Sequence, residues 1–409
     1  MVVGPLRGLA AYYREAFGGL PGTTWLLCAA AFINRCGSMV VPLLGPYLKQ
    51  DFALAAEHAG LVISLYGVGA FVGSWIGGRL TDRIGPVRLQ VVALSASALW
   101  MLLMTQLHSL ATVVPAVFVL GVLNDAFRPG SNTAAAVSAP PELRRKALSL
   151  NRFALNLGWA FGPTIGGYLV MADYAWMFVA DGLTCGLAAL WLWWKLRHFA
   201  PLAPANGAPP AAAAIAGARG PLRNRPFLWL MAANLLVVLA FMQYFTTGPR
   251  VFVDLGFSPA HVGWFLAINP LLITAFEMPV VHGLQRVRAL PVIAIGSAVV
   301  GLGYLCMLLP GGAMPIVLAM VVVAGGELLQ MPMLGAHVND LAPDHLRGAY
   351  NGAYGMCFTL ALVLAPMLGG LVYDRAGAAA LWWSCGVLGV LGAAMFALAA
   401  GRGARAAHR

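Results

Sequence analysis

Residues 125–147 read DAFRPGSNTAAAVSAPPELRRKA, and residues 327–349 read ELLQMPMLGAHVNDLAPDHLRGA. Asp125 and Glu327 are 202 positions apart, and so are Pro141 and Pro343, Glu142 and Asp344, and Arg145 and Arg347. Each stretch starts with an acid inside an apolar run and ends in a short polar turn. Further along, GPTIGG at Gly162 matches APMLGG at Ala365 with an offset of 203. A repeat of about half the 409-residue chain means one unit built twice in the same direction.

The apolar runs around these stretches identify the unit. A helix needs about 20 mainly apolar residues to cross the hydrocarbon core of a bilayer. Runs of that kind cover 23–47, 57–80, 88–107, 111–136, 147–171 and 174–195, then 226–249, 258–284, 289–309, 313–338, 346–372 and 378–400. The expected fold is an all-α membrane protein of twelve spans in two six-helix bundles, 1–198 and 226–409, joined by a linker at 199–225 rich in Ala, Pro and Gly. Strands are excluded, because barrel strands are short alternating segments rather than unbroken apolar runs. The first run has no small-residue cleavage site, so it is expected to stay as the first span. Residues 6–18 form a candidate amphipathic surface helix.

Composition agrees. The chain is 60% hydrophobic and 10% charged, against about 25% charged in soluble domains, and its mean hydropathy is +0.80. Its 25 Lys and Arg against 14 Asp and Glu are explained by topology rather than by nucleic-acid binding. Nineteen of them fall on the side of the termini, only Lys49, Arg250 and Arg375 fall on the opposite side, and the rest lie within spans. Positive charge stays in the cytoplasm, so both termini are expected there. The six cysteines lie in apolar runs without a C-x-x-C pair and read as small buried side chains, not as a disulfide or metal framework. No phosphate-binding loop of the form G-x-x-x-x-G-K-[ST] occurs, which argues against ATP-driven pumping. No enzyme activity, cofactor or metal is expected.

The loop after the second run reads Gly78-Arg79-Leu80-Thr81-Asp82-Arg83-Ile84-Gly85-Pro86-Val87-Arg88. It resembles, in letters and in position, the G-x-L-x-D-R-x-G-x-x-R/K signature of the major facilitator superfamily. Gly78 permits a close helix contact, Gly85 a tight turn, and Asp82 can sit at the positive end of another helix. The resemblance implies that this helix is span eleven and that the contact latches the outward-open state, with Gly78, Asp82, Arg83, Gly85 and Arg88 as the gating motif. The second-half equivalent, HGLQRVRALP from His282, has lost the acid, so one latch is expected.

Span five contains NLGWAFGPTIGGYL, where Gly158, Gly162, Pro163, Gly166 and Gly167 resemble the G-x8-G-x3-G-P-x2-G-G motif of the proton-coupled antiporter branch. The first glycine of that motif is Ser149 here. Two readings stand: small residues and a proline that let helices pack closely and bend, or a marker of export. The resemblance covers the whole chain and points to the twelve-span drug:proton antiporters.

A charge at the centre of a span costs about 2.5–3.5 kcal/mol on insertion scales and faces a partner or a cavity. Arg35, Asp125, Arg128 and Glu327 lie near the middle of spans one, four and ten, which line the central cavity in the family fold. Asp125 and Arg128 share a helix face, one turn apart. Pro129-Gly130 departs from the R-x-x-x-G spacing of the family's cavity arginine. Asn34, Asn124 and Gln330 join this layer, with Gln243 and Tyr244 nearer the outer end; these five, with Arg35 and Arg128, are the candidate substrate-cavity residues. Asp125 and Glu327 are the first candidates for proton coupling, and Asp181 and Glu277 the second. The charges either pin helices together or exchange a proton, since desolvation favours a neutral acid and a neighbouring guanidinium favours the carboxylate. Arg152, one to two turns in from the end of span five, either snorkels to the lipid headgroups or serves as a gate.

The sequence therefore leads to a monomeric secondary transporter that exports small apolar or amphipathic molecules (multidrug efflux) in exchange for protons. The alternative is proton-coupled import of a peptide or other zwitterion held by Arg35 and Glu327. Arg outnumbers Lys 22 to 3, as in proteins of GC-rich bacteria, so the expected location is a bacterial inner membrane. If Asp82 caps span eleven in one transport state, Asp82→Asn keeps folding and loses most transport, because the charge–dipole contact contributes about 1 kcal/mol. Near-normal transport at matched expression removes Asp82 from the mechanism.

Overall fold

The computed structural model describes residues 13–14, 16–197, 219–284, 286–343 and 346–407. Most of the expected linker and most of the candidate surface helix lie outside these residues. Of the linker's end, Arg219–Arg223 is a short helix, and the Asn224 side chain caps the next one by accepting the Phe227 N–H at 3.1 Å.

The described residues form helices and no strands. Ten helical stretches are long and apolar enough to cross a membrane, and two features turn them into twelve spans. The stretch Arg347–Ala407 is two spans, because Gly377 (φ 79°) breaks it. Span five, Arg144–Leu169, is not among the ten; four basic residues in its first nine positions lower its hydropathy, yet it is continuous.

Two spans expected to be unbroken are interrupted. Span one runs Gly22–Cys36 and Val40–Phe52, with a turn at Gly37 packed so closely on span six that an added Cβ would lie 1.8 Å from Thr184 Oγ1. Span seven runs Arg225–Gln243 and Gly248–Asp254. Both extend past their expected ends, and broken helices at corresponding places in two repeats are a recurring way to build a midplane site.

The halves meet along two seams: span five (Arg144–Leu169) on span eight (Pro259–Leu284), and span two (Ala56–Ile84) on span eleven (from Arg347). The seams are copies of one another. At the first, Cβ atoms added to Gly263 and Gly167 would lie 2.3 Å from the carbonyl oxygens of Pro163 and Pro259. At the second, Cβ atoms added to Gly60 and Gly370 would lie 2.2 and 2.3 Å from those of Pro366 and Ala56. Every residue of one seam maps onto the other by the offset of 203 that relates GPTIGG to APMLGG. Residues 162–167 and their copy therefore build the contact between halves, where backbone meets backbone because no side chain intervenes.

All four crossings lie at the end of the bundle opposite the Gly78–Arg88 loop, here called the far end, and that end is closed. The void between Gly45, Gly60, Thr246, Arg250 and Pro366 is about 10 Å³, room for about one water. Lys49 pairs with Asp254, whose other oxygen takes hydrogen bonds from Arg250 (3.0 Å) and Tyr373 (2.9 Å). Arg250 also donates to the Leu54 carbonyl at 3.1 Å. The Lys49 side chain is 44% exposed, so its pair contributes about 0–1 kcal/mol, whereas forcing a side chain into one of the glycine crossings costs about 1–3 kcal/mol.

The loop end is different. Asp82 is exposed and makes no hydrogen bond or ion pair with any described residue, and an added Cβ at Gly78, Gly352 or Gly355 meets nothing within 4 Å. The close contact expected at Gly78 is not made in this structure; the tight approaches of spans two and eleven are at Gly60, Gly67 and Gly370. Gly85 does form the turn, at φ 88°.

Replacing Gly60 or Gly263 by Leu is expected to open the far end. In a chain without its six native cysteines, a cysteine placed at buried Thr246 should react with maleimide roughly 5–100 times faster in either variant. An unchanged rate contradicts this account of the closure.

Candidate functional site

Beneath the closed end, the breaks in spans one and seven bring Arg35 and Phe245 to the interface between halves. Arg35 lies over the Trp159 ring of span five, 5.9 Å from its centre, and Trp159 meets Phe245 edge-on at 5.2 Å, joining the two halves. Phe245 also packs on Phe241 and Tyr244. Span five can come this close because Gly158, Gly162 and Gly166, one turn apart, face Arg35, Ser38 and Met39. The motif thus has two faces, three glycines against span one and Pro163 with Gly167 against span eight.

Asp125 is paired with Arg128 at 3.3 Å, the local pair expected from their spacing; the arginine side chain is 61% exposed and the acid 15%. Asp125 lies within electrostatic range of Arg35 without touching it.

Glu327 does not pair with an arginine. It accepts the Nδ2–H of Asn269 at 2.9 Å, and both are buried within the second half. Glu277 pairs with Arg152 at 2.9 Å across the seam between spans eight and five. Arg152 does not snorkel away, because the facing acid on the other half holds it.

Asp181 lies two turns inside span six (Ala175–Leu196) and is buried against the break in span one. It accepts the Cys185 Sγ–H at 3.7 Å, and a Cβ added to Gly37 would lie 2.9 Å from its Oδ1. It therefore lies against the break between the two segments of span one.

Four expected cavity residues are instead internal to the bundles. Asn34 donates to Cys185 Sγ at 3.3 Å, Gln330 to Asn234 Oδ1 at 2.9 Å, and Gln243 to the Ala365 carbonyl at 2.7 Å. Tyr244 is buried, with its hydroxyl bonded to the Leu266 carbonyl. Polar groups inside a membrane must be met by protein, and here neighbouring helices of the same half meet them. Arg35 and Asn124 are partly exposed, and Arg128 is exposed.

Asn269, Trp159, Phe245 and the Lys49–Asp254–Arg250 group were missed in the sequence. Asn269 had a signal, a lone amide in the apolar run FLAINPLL of span eight. The others look like ordinary interfacial or packing residues until the fold places them together.

The sequence profile of the Major Facilitator Superfamily matches residues 27–258 and 250–409. The chain is 25% identical over 367 residues to the "uncharacterized MFS-type transporter YqjV" of Bacillus subtilis (strain 168), covering 87% of each chain. It is 28% identical over 193 residues to the "multidrug resistance protein MdtG" of Serratia proteamaculans (strain 568), covering 45% of this chain and 47% of that one. Among solved structures, it resembles a POT family transporter in complex with 5-aminolevulinic acid, with TM-score 0.78, 15% identity and coverage of 93% and 96%. It also resembles a point mutant of the nucleoside transporter NupG, with TM-score 0.76, 15% identity and coverage of 92% and 100%. At those identities the structural likeness concerns the fold alone. With the profile spanning both halves, and the halves packed as two copies of one six-helix unit, this multi-pass membrane protein belongs to the major facilitator superfamily.

Proposed function

We propose that this protein exports small apolar or amphipathic molecules from the cytoplasm in exchange for protons, by alternating access, as a monomer in a bacterial inner membrane. The observation that carries the reading is the asymmetry between the ends: closed at the glycine crossings, and unlatched at Asp82. With the termini in the cytoplasm, this is an inward-facing conformation. The halves 1–198 and 226–409 then rock about the two seams, and the Asp82 contact forms when the loop end closes. The likeness to MdtG and the span-five motif favour efflux.

Asp125 is the proposed proton carrier. It lies on span four with 15% of its side chain exposed, and Arg128 is a local partner able to stabilise its carboxylate. Glu327, its repeat equivalent, is held by Asn269. Import of a zwitterion held by Arg35 and Glu327 is the second reading, and it requires Glu327 to leave Asn269 and face the other half.

In proteoliposomes with an imposed pH gradient, Asp125→Asn is expected to abolish uphill transport while leaving downhill substrate exchange measurable, since exchange does not need the carboxyl to change protonation in every cycle. Full uphill transport in both Asp125→Asn and Glu327→Gln sinks proton coupling through this layer. In cells, deletion and collapse of the proton gradient should each raise substrate accumulation; lower accumulation on deletion favours import.

The Arg152–Glu277 pair joins the halves at the loop end, so it must separate or rearrange as that seam moves. Arg152→Gln leaves a carboxylate unpaired inside the membrane and should lower expression and melting temperature. Adding Glu277→Gln should restore much of both. A double variant no better than the single one contradicts the pairing.

A further inference from the structure

We infer that the interface between the halves binds the anionic headgroup of an amphipathic molecule, a carboxylate or similar oxyanion, on Arg35, with its apolar body against Trp159 and Phe245. This deepens the transporter reading and rests on it, because it names the ligand class of the same interface.

The charges elsewhere in the spans are already met. Arg128 has Asp125, Arg152 has Glu277, and Arg250 has Asp254 and the Leu54 carbonyl. Arg35 alone among these four arginines makes no ion pair with a described residue; its one hydrogen bond is from Nη1 to Ser38 Oγ at 3.4 Å. Its Nε is buried and has no acceptor. The two acids in electrostatic range make no ion pair with it: Asp125 pairs with Arg128, and Asp181 accepts the Cys185 Sγ–H.

Burying a cationic donor without an acceptor is costly, and guanidinium forks match carboxylates. The side chain is nonetheless held in place. Its Cβ packs on Gly158, where any added Cβ would lie 2.5 Å away, and its guanidinium lies over Trp159. A fixed, partly exposed cation with unused donors, at the edge of an aromatic wall shared by both halves, fits an anion that carries an apolar body. An inorganic anion would use the charge and leave the wall unused.

The test is equilibrium dialysis of three probes with one skeleton, 2-naphthylacetate, 2-naphthylacetamide and 2-naphthylmethyl-trimethylammonium, against the full chain in lipid nanodiscs without a pH gradient. The acetate is expected to bind at least roughly tenfold more tightly than the other two, the usual scale of a charged hydrogen bond. Arg35→Gln should remove that preference while leaving amide binding within roughly threefold, Arg35→Lys should keep part of it, and Trp159→Leu should weaken all three probes. Equal binding of the three by the unmodified chain, no binding of any, preference for the cation, or a preference that survives Arg35→Gln would each overturn the proposal. The order of the three probes on the unmodified chain can already overturn it, so a poorly folding variant does not remove the test. Because no gradient is present, a preference for the acetate stands even if proton-driven export fails, and export stands if the preference fails.

Discussion

Four glycines at the far end, Gly60, Gly167, Gly263 and Gly370, let the backbones of opposing halves come into direct contact, and the rest of the arrangement depends on that approach. In a bilayer, lipid tails are as apolar as leucine, so helices gain little from burying apolar surface against one another. Close backbone packing and hydrogen bonds take over. The crossings come in two symmetric pairs because the chain contains one unit twice. Closing one seam therefore has the same local chemistry as closing the other, and both can act as hinges of one motion. The buried Arg250 lines the same small void, and its bond to the Leu54 carbonyl and the Lys49–Asp254 pair also cross between the halves.

The cost of charge in hydrocarbon shapes what lies beneath. Asp125–Arg128 is met within one span, Arg152–Glu277 across a seam, and Glu327 by a neutral amide. These three solutions have different consequences for movement. The first travels with its helix, the second must separate or rearrange when the halves rock, and the third stays inside its bundle. Asp181 follows another route, buried against the break between the two segments of span one with the Cys185 thiol as its hydrogen-bond donor. Arg35 remains with donors unused, at the place where both halves contribute aromatic rings.

Much of this was legible in the sequence. Twelve apolar runs and the repeated Asp125 and Glu327 stretches lead to two six-helix bundles, because span length and the solvation of backbone groups leave a membrane protein few alternatives. The Asp125–Arg128 pair followed from helical spacing alone. Side-chain direction did not follow. Gln243, Tyr244, Gln330 and Asn34 sit at cavity depth but point into their own bundles, and depth along a span says nothing about rotation around it. The break in span one was hidden because Gly37-Ser38-Met39 is as compatible with a helix as with a turn until Thr184 and Asp181 press against it. The offset of 203 was visible at GPTIGG, but its partners Gly60 and Gly263 are single glycines in apolar runs and gain meaning only when the seams are seen together.

The central claim is that the two ends of the bundle close alternately about these seams. Distances between spin labels test it directly, with one pair at Gln50 and Leu255 on the far end and another at Arg83 and Arg286 on the loop end, measured on reconstituted protein across a pH series. The account predicts opposite changes: as the far-end pair lengthens, the loop-end pair shortens, in matching proportions of molecules. If both ends lengthen together, or one end changes while the other stays fixed, the seams are not the hinges of a single alternating motion.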